Sequence, residues 1–107
     1  MYILIKNTLP SGIAITAAAH ASLAMYLKYQ DNEDMKSYIE HSFAKVVCKV
    51  DDLEFEKAKE HNVPYLVLSE STLPGIETAI VFFPEEELPK QFKYYRLWKD
   101  RIEERIN

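Results

Sequence analysis

The chain holds a single cysteine, Cys48, among 107 residues. One thiol cannot close an internal disulfide or build a multi-cysteine zinc site. Glycine is almost as scarce, two residues against five prolines, which excludes a Gly/Pro-rich linker or a collagen-like stretch. No segment approaches the ~18 consecutive apolar residues of a membrane span. The dinucleotide fingerprint, the P-loop, the Cys-x-x-Cys pair and the nucleophile elbow are all missing, so neither a cofactor nor a metal is expected. Positive charge is in the minority, 13 Lys and Arg against 17 Asp and Glu for a net −4. That balance disfavours a nucleic-acid partner such as tRNA, which needs a net or local positive field. The N-terminus opens directly into Tyr2-Ile3-Leu4-Ile5 with no basic leader, and a cytoplasmic location is expected.

What remains is ordinary globular material, 48% hydrophobic and 28% charged, long enough for one core. Four apolar runs read as buried strands: residues 2–6, 45–50, 65–68 and 78–83. Residues 92–98 alternate enough for an edge strand. Between them lie helical segments. Residues 13–29 carry six alanines, strong helix formers that let a helix lie close to a sheet, and Ser11 is the expected N-cap. Residues 35–43 read as a short helix after the polar break Asp31–Asp34. Asp51 or Asp52 caps a third helix running to His61, with Leu53, Phe55 and Ala58 as its apolar positions. Residues 85–88 suggest one helical turn. The pattern predicts an α/β fold, a single mixed β-sheet of four to five strands with helices on both faces. The β-β step from 65–68 to 78–83 fits either a hairpin or a crossover.

Residues 98–107 carry Trp98, Ile102 and Ile106 at i, i+4 and i+8, one helical stripe. Ten residues are too few for an isolated helix. The stripe therefore predicts a C-terminal helical tail, residues 99–107, docked on its own sheet edge or on a second subunit.

The ordered motifs resemble the type II peptidyl-tRNA hydrolases. Gly12-Ile13-Ala14-Ile15-Thr16-Ala17-Ala18-Ala19-His20-Ala21 is similar to that family's first helix. Lys45-Val46-Val47-Cys48-Lys49-Val50-Asp51 is similar to its second strand and following turn. Pro74-Gly75 and Thr78-Ala79-Ile80-Val81-Phe82-Phe83-Pro84 resemble its proline-glycine and the strand after it. The resemblance covers roughly residues 2–98 and implies one domain over 1–98, a homodimer, and hydrolysis of the ester joining a peptide to tRNA. It also implies site residues: a lysine and a glutamine on the first helix, and an aspartate and a threonine in the loop before the penultimate strand. Here Ile13 stands at the lysine position and Ala17 at the glutamine position. The loop reads Ser69-Glu70-Ser71-Thr72, and either Ser71 or Thr72 matches the threonine.

Ester hydrolysis needs a group that stabilises the oxyanion and one that positions the nucleophile. Isoleucine and alanine supply neither. The candidate catalytic residues are therefore His20, Glu70, Ser71 and Thr72. The competing reading of His20 is a core histidine bonded to backbone, and of the loop, ordinary turn chemistry. Gly12, Lys93 and Arg96 are candidate binding residues, the last two within a basic strip interleaved with Tyr94, Tyr95 and Trp98. Charge protection of an edge strand explains the same strip. Cys48 reads as a small buried hydrophobe. Thr16 reads as a helix-interior hydroxyl bonded to its own backbone. Three functions compete: a diverged binding or regulatory domain, a hydrolase with a rearranged site, and a structural partner protein.

Overall fold

The computed structural model describes residues 1–99. Its sheet is built from β1 (Tyr2–Lys6), β2 (Val46–Val50), β3 (Tyr65–Ser69) and β4 (Glu77–Phe82), in the order β2-β1-β4-β3. β1 pairs in parallel with β2 and antiparallel with β4, and β3 pairs antiparallel with β4. The sheet is thus mixed. The β3–β4 step is a hairpin, with a register shift at Leu68/Ser69. Its loop closes through Gly75 at φ 77°, a left-handed conformation that favours glycine.

The helices are α1 (Ser11–Tyr29), α2 (Glu33–His41) and α3 (Asp52–Ala58). α1 begins one residue earlier than a Ser11 cap requires. Pro10 is the cap residue and no side chain caps the helix. Proline sets the extended entry, and Ser11 lies inside the first turn. Asn32 caps α2 by accepting from the backbone of Asp34 and Met35 at 2.8 and 3.2 Å. Asp51 caps α3 in a reciprocal box with Glu54, which satisfies two helix-terminal donors together. Leu53 is 65% exposed, so Phe55 and Ala58 alone are α3's inward face. Residues 85–88 form no helix.

Strand parity gives the sheet two covered faces. Ile3, Ile5, Ala79 and Val81 share the face under α1, and Leu4, Ile80 and Phe82 share the other. α1 sits through Ala14, Ala17, Ala21 and Met25 against β1, β3 and β4, while α3 packs on β1 and β2. The residues expected as an edge strand at 92–98 instead form a 3-10 helix, Lys90–Tyr94, and then a single bridge from Leu97 to Cys48. Aromatic packing explains the departure. Phe92 is buried and meets Tyr2, Phe82 and Tyr95 edge-on at 5.2, 4.8 and 5.7 Å, contacts that add to area burial. The short segment after it still closes part of β2's outer edge: Lys49 N donates to Arg96 O and Trp98 N to Val47 O. The tail stripe at Ile102 and Ile106 lies outside the described residues.

His61 joins the Phe92 cluster. Its ring lies 4.5 Å from that of Phe92, and Nε2 is 2.7 Å from the Tyr95 hydroxyl. Burial holds its pKa below the usual 6.5, with Glu60 partly opposing. The unfolded chain therefore binds more protons here as pH falls. His61's contribution is fully present above about pH 6.5 and is lost as pH drops from there toward the folded-state value. The Met1 amine, lowered by burial to about 6, weakens the fold in the same direction. Melting temperature should fall between pH 7.5 and 5.5, and His61→Gln should flatten part of that fall in thermal scans. An equal slope in wild type and variant contradicts the assignment.

Candidate functional site

Ile13, Ala17 and His20 lie on α1 at i, i+4 and i+7, so they form one stripe along a single flank. Ala17 is fully buried, Ile13 is half-buried, and the His20 side chain is 57% exposed. His20 is thus no core histidine bonded to backbone. The spacing from the buried alanines turns it about a quarter-turn off the sheet, toward the loop that follows β3.

Glu70 meets it there. Its side chain is only 8% exposed, and both carboxylate oxygens lie 3.3 Å from His20 Nδ1. Its own carbonyl accepts from Leu73 N at 3.0 Å, which folds the loop back and turns the carboxylate toward α1. A carboxylate only accepts, so Nδ1 carries the proton it donates. In the neutral ring the Nε2 lone pair is then free to act as acceptor or base. Orienting an imidazole in this way is half of a general-base arrangement. The nucleophile half is not assembled. Ser71 and Thr72 are exposed, and neither is hydrogen-bonded to His20 among the described residues.

The remaining candidates lie apart. Gly12 is exposed and its carbonyl accepts from Thr16 Oγ1 at 3.1 Å, the backbone bond expected of that threonine. Lys93 and Arg96 are exposed. The Arg96 backbone borders β2, whereas Glu70 follows β3, and those strands are opposite edges of the sheet. Three strand spacings, about 14 Å, separate the two edges. The basic strip is therefore not part of the His20–Glu70 pair. Cys48 is fully buried, and desolvation raises its thiol to about 11, which suits packing and not reactivity. Among the described residues no cluster of His, Cys, Asp and Glu is arranged to hold a metal ion. No helix among them is long and apolar enough to cross a membrane.

The family model described as peptidyl-tRNA hydrolase PTH2 matches residues 1–98. The chain belongs to that family. No curated protein matches it. The PTH2 match ends at Trp98, where the last described backbone bond closes onto β2.

The rearranged site read from the sequence joins His20, Thr72 and Glu70; the structure brings His20 and Glu70 together, fifty positions apart, and not Thr72. Sequence reasoning missed the His61–Tyr95 bond. The interleaving of Tyr94, Tyr95 and Trp98 with the basic strip was its one visible sign.

Ala17 fills its place against the sheet with a methyl group alone. Ala17→Gln should overpack that contact and bury an amide, costing about 1–3 kcal/mol. Thermal unfolding checks this: Ala17→Gln should melt well below wild type and below Ile13→Lys, whose half-buried position lets an ammonium reach water.

Proposed function

We propose that this PTH2-family chain is a diverged binding or regulatory domain in which hydrolysis of the peptidyl-tRNA ester is weak or absent. The observation that carries the reading is the stripe of α1. At its lysine and glutamine positions stand Ile13 and the fully buried Ala17, which give no charged or amide donor to a developing oxyanion. Loss of one such donor costs about 10²–10³ in rate. The ligand-facing groups in this reading are His20 and Glu70, flanked by Ser71 and Thr72. Gly12, Lys93 and Arg96 are secondary contacts. The net charge of −4 and the remoteness of the basic strip both count against tRNA as the partner. A cytoplasmic homodimer without a cofactor belongs to the same proposal and rests on family membership.

One observation favours a second reading. The buried Glu70 behind an exposed His20, at 3.3 Å, is an oriented imidazole beside two loop hydroxyls. A hydrolase with a rearranged site would use His20 as base, positioned by Glu70, to activate water, Ser71 or Thr72.

Cleavage of purified peptidyl-tRNA by the full chain separates the two readings. The proposal expects turnover at least about 10²-fold below a family member with the full motif, with His20→Ala and Glu70→Gln leaving the residue of activity unchanged. Wild-type turnover that both substitutions abolish, without loss of melting temperature, establishes the rearranged hydrolase instead.

A further inference from the structure

A groove of about 570 Å³ runs between α1 and α2, a size that suits a small ligand. One wall is a row on α1, Ala18, Ser22 and Tyr26. These residues follow one another at four-residue steps, about 12 Å in all. Ile39 and Phe43 form the other wall, and Val47 of β2 lies between them. Ser22 stands two residues after His20, about 200° round the helix. The groove is therefore separate from the His20–Glu70 pair.

The two ends of the groove differ. Val46 is in register with Tyr2, so Lys45 comes beside Met1, and both line the groove. Ile3 pairs with Val81, which sets Phe83 at the level of Met1. Tyr29 meets Phe83 at 5.0 Å, so the C-terminal part of α1, with Tyr26, reaches this same end. The far end, at Ala18 and Val47, is apolar.

Phe43 and Lys45 make the lip of the Met1 end. Phe43 is left-handed at φ 60° and 60% exposed. That backbone is costly for an aromatic residue, and such strain gathers where ligands are clamped. Lys45 Nζ lies 3.3 Å from the centre of the Phe43 ring and donates to the Phe43 carbonyl at 3.0 Å. The strained turn thus fixes a cation at the end of an apolar groove. No ion pair among the described residues involves Lys45. Burial and, after it, the charge of Lys45 push the Met1 amine down to about 6, so the field of Lys45 reaches the end of the groove.

We propose that the groove binds a single-chain acyl carboxylate, with its head at Lys45 and its chain along the α1 row toward Ala18. Charge complementarity selects the head, because the one charged side chain lining the groove is a lysine. The small residues Ala18 and Ser22 let an unbranched chain lie close to the helix, and the apolar far end takes its terminus. Lys45 is exposed, so the chain supplies most of the affinity and the head supplies the selectivity. A second copy of the protein is the competing occupant.

Titration calorimetry of the full chain with dodecanoate, below its micelle concentration, tests the proposal. One molecule should bind per chain. Decanoate should bind about tenfold more weakly, through the loss of two buried methylenes. Dodecyltrimethylammonium, with the same chain and the opposite charge, should bind more weakly than dodecanoate. Lys45→Gln should weaken dodecanoate about twofold to fivefold and remove that preference. Ser22→Trp, which fills the row, should abolish binding, and Leu53→Ala on α3 should leave it unchanged, with melting curves showing each variant folded. Absence of binding, equal binding of the two head groups, or binding that survives both Lys45→Gln and Ser22→Trp overturns the proposal. A dimer in sedimentation that Ser22→Trp dissociates and dodecanoate does not assigns the groove to a second copy, and overturns it as well.

Discussion

Ala14, Ala17 and Ala21 meet the sheet with methyl groups, and that close seat of α1 is the contact on which the rest of the molecule depends. All three are buried, as are Ile3, Ile5, Ala79 and Val81 opposite them. Larger side chains would lift the helix from the sheet and forfeit dispersion contacts along its whole length. The seat also fixes the rotation of α1 about its axis. One flank then faces the β3–β4 loop and presents His20 to Glu70. The other flank borders an apolar groove lined by Ala18, Ser22, Tyr26, Ile39, Phe43 and Val47. Site and groove are two consequences of one packing choice.

The same seat bears on chemistry. A helix position turned into the sheet holds a methyl group easily and an amide only with compensation. Ala17 is such a position here, and its neighbour on the stripe is the apolar Ile13. The polar character of the site has moved instead to the end of the stripe, where a mostly buried carboxylate holds an exposed imidazole. That arrangement orients a ring. It lacks the convergent donors that ester hydrolysis draws on.

Much of the fold was legible. The strands near residues 2–6, 46–50, 65–69 and 77–82 are continuous apolar runs because helices cover both faces of the sheet. The expected cap of α3 was Asp51 or Asp52, and Asp51 takes the place through its box with Glu54. Residues 92–98 were misread because alternation of apolar and charged residues suits both an edge strand and a 3-10 turn that buries one aromatic. Phe92 docks into a cluster assembled from Tyr2, Phe82 and His61, partners that no local pattern reveals. His20 and Glu70 were legible as members of one candidate site, but not the contact between their side chains. It depends on the rotation of α1 and on the fold of the loop after β3, which are tertiary facts. The helix expected to reach residue 43 stops at His41, because Ser42 and Phe43 both turn their amides back to Tyr38 O. Glycine usually marks such a stop, and here phenylalanine occupies the place.

The central claim is that the apolar stripe, and not the His20–Glu70 pair, sets the level of ester hydrolysis. Single-turnover cleavage of peptidyl-tRNA by Ile13→Lys tests it most directly, since the substitution returns one cationic donor to the flank that His20 shares while leaving Ala17 seated. The account predicts a rate about 10²-fold above that of the wild-type chain. A rate that the substitution leaves unchanged would contradict it.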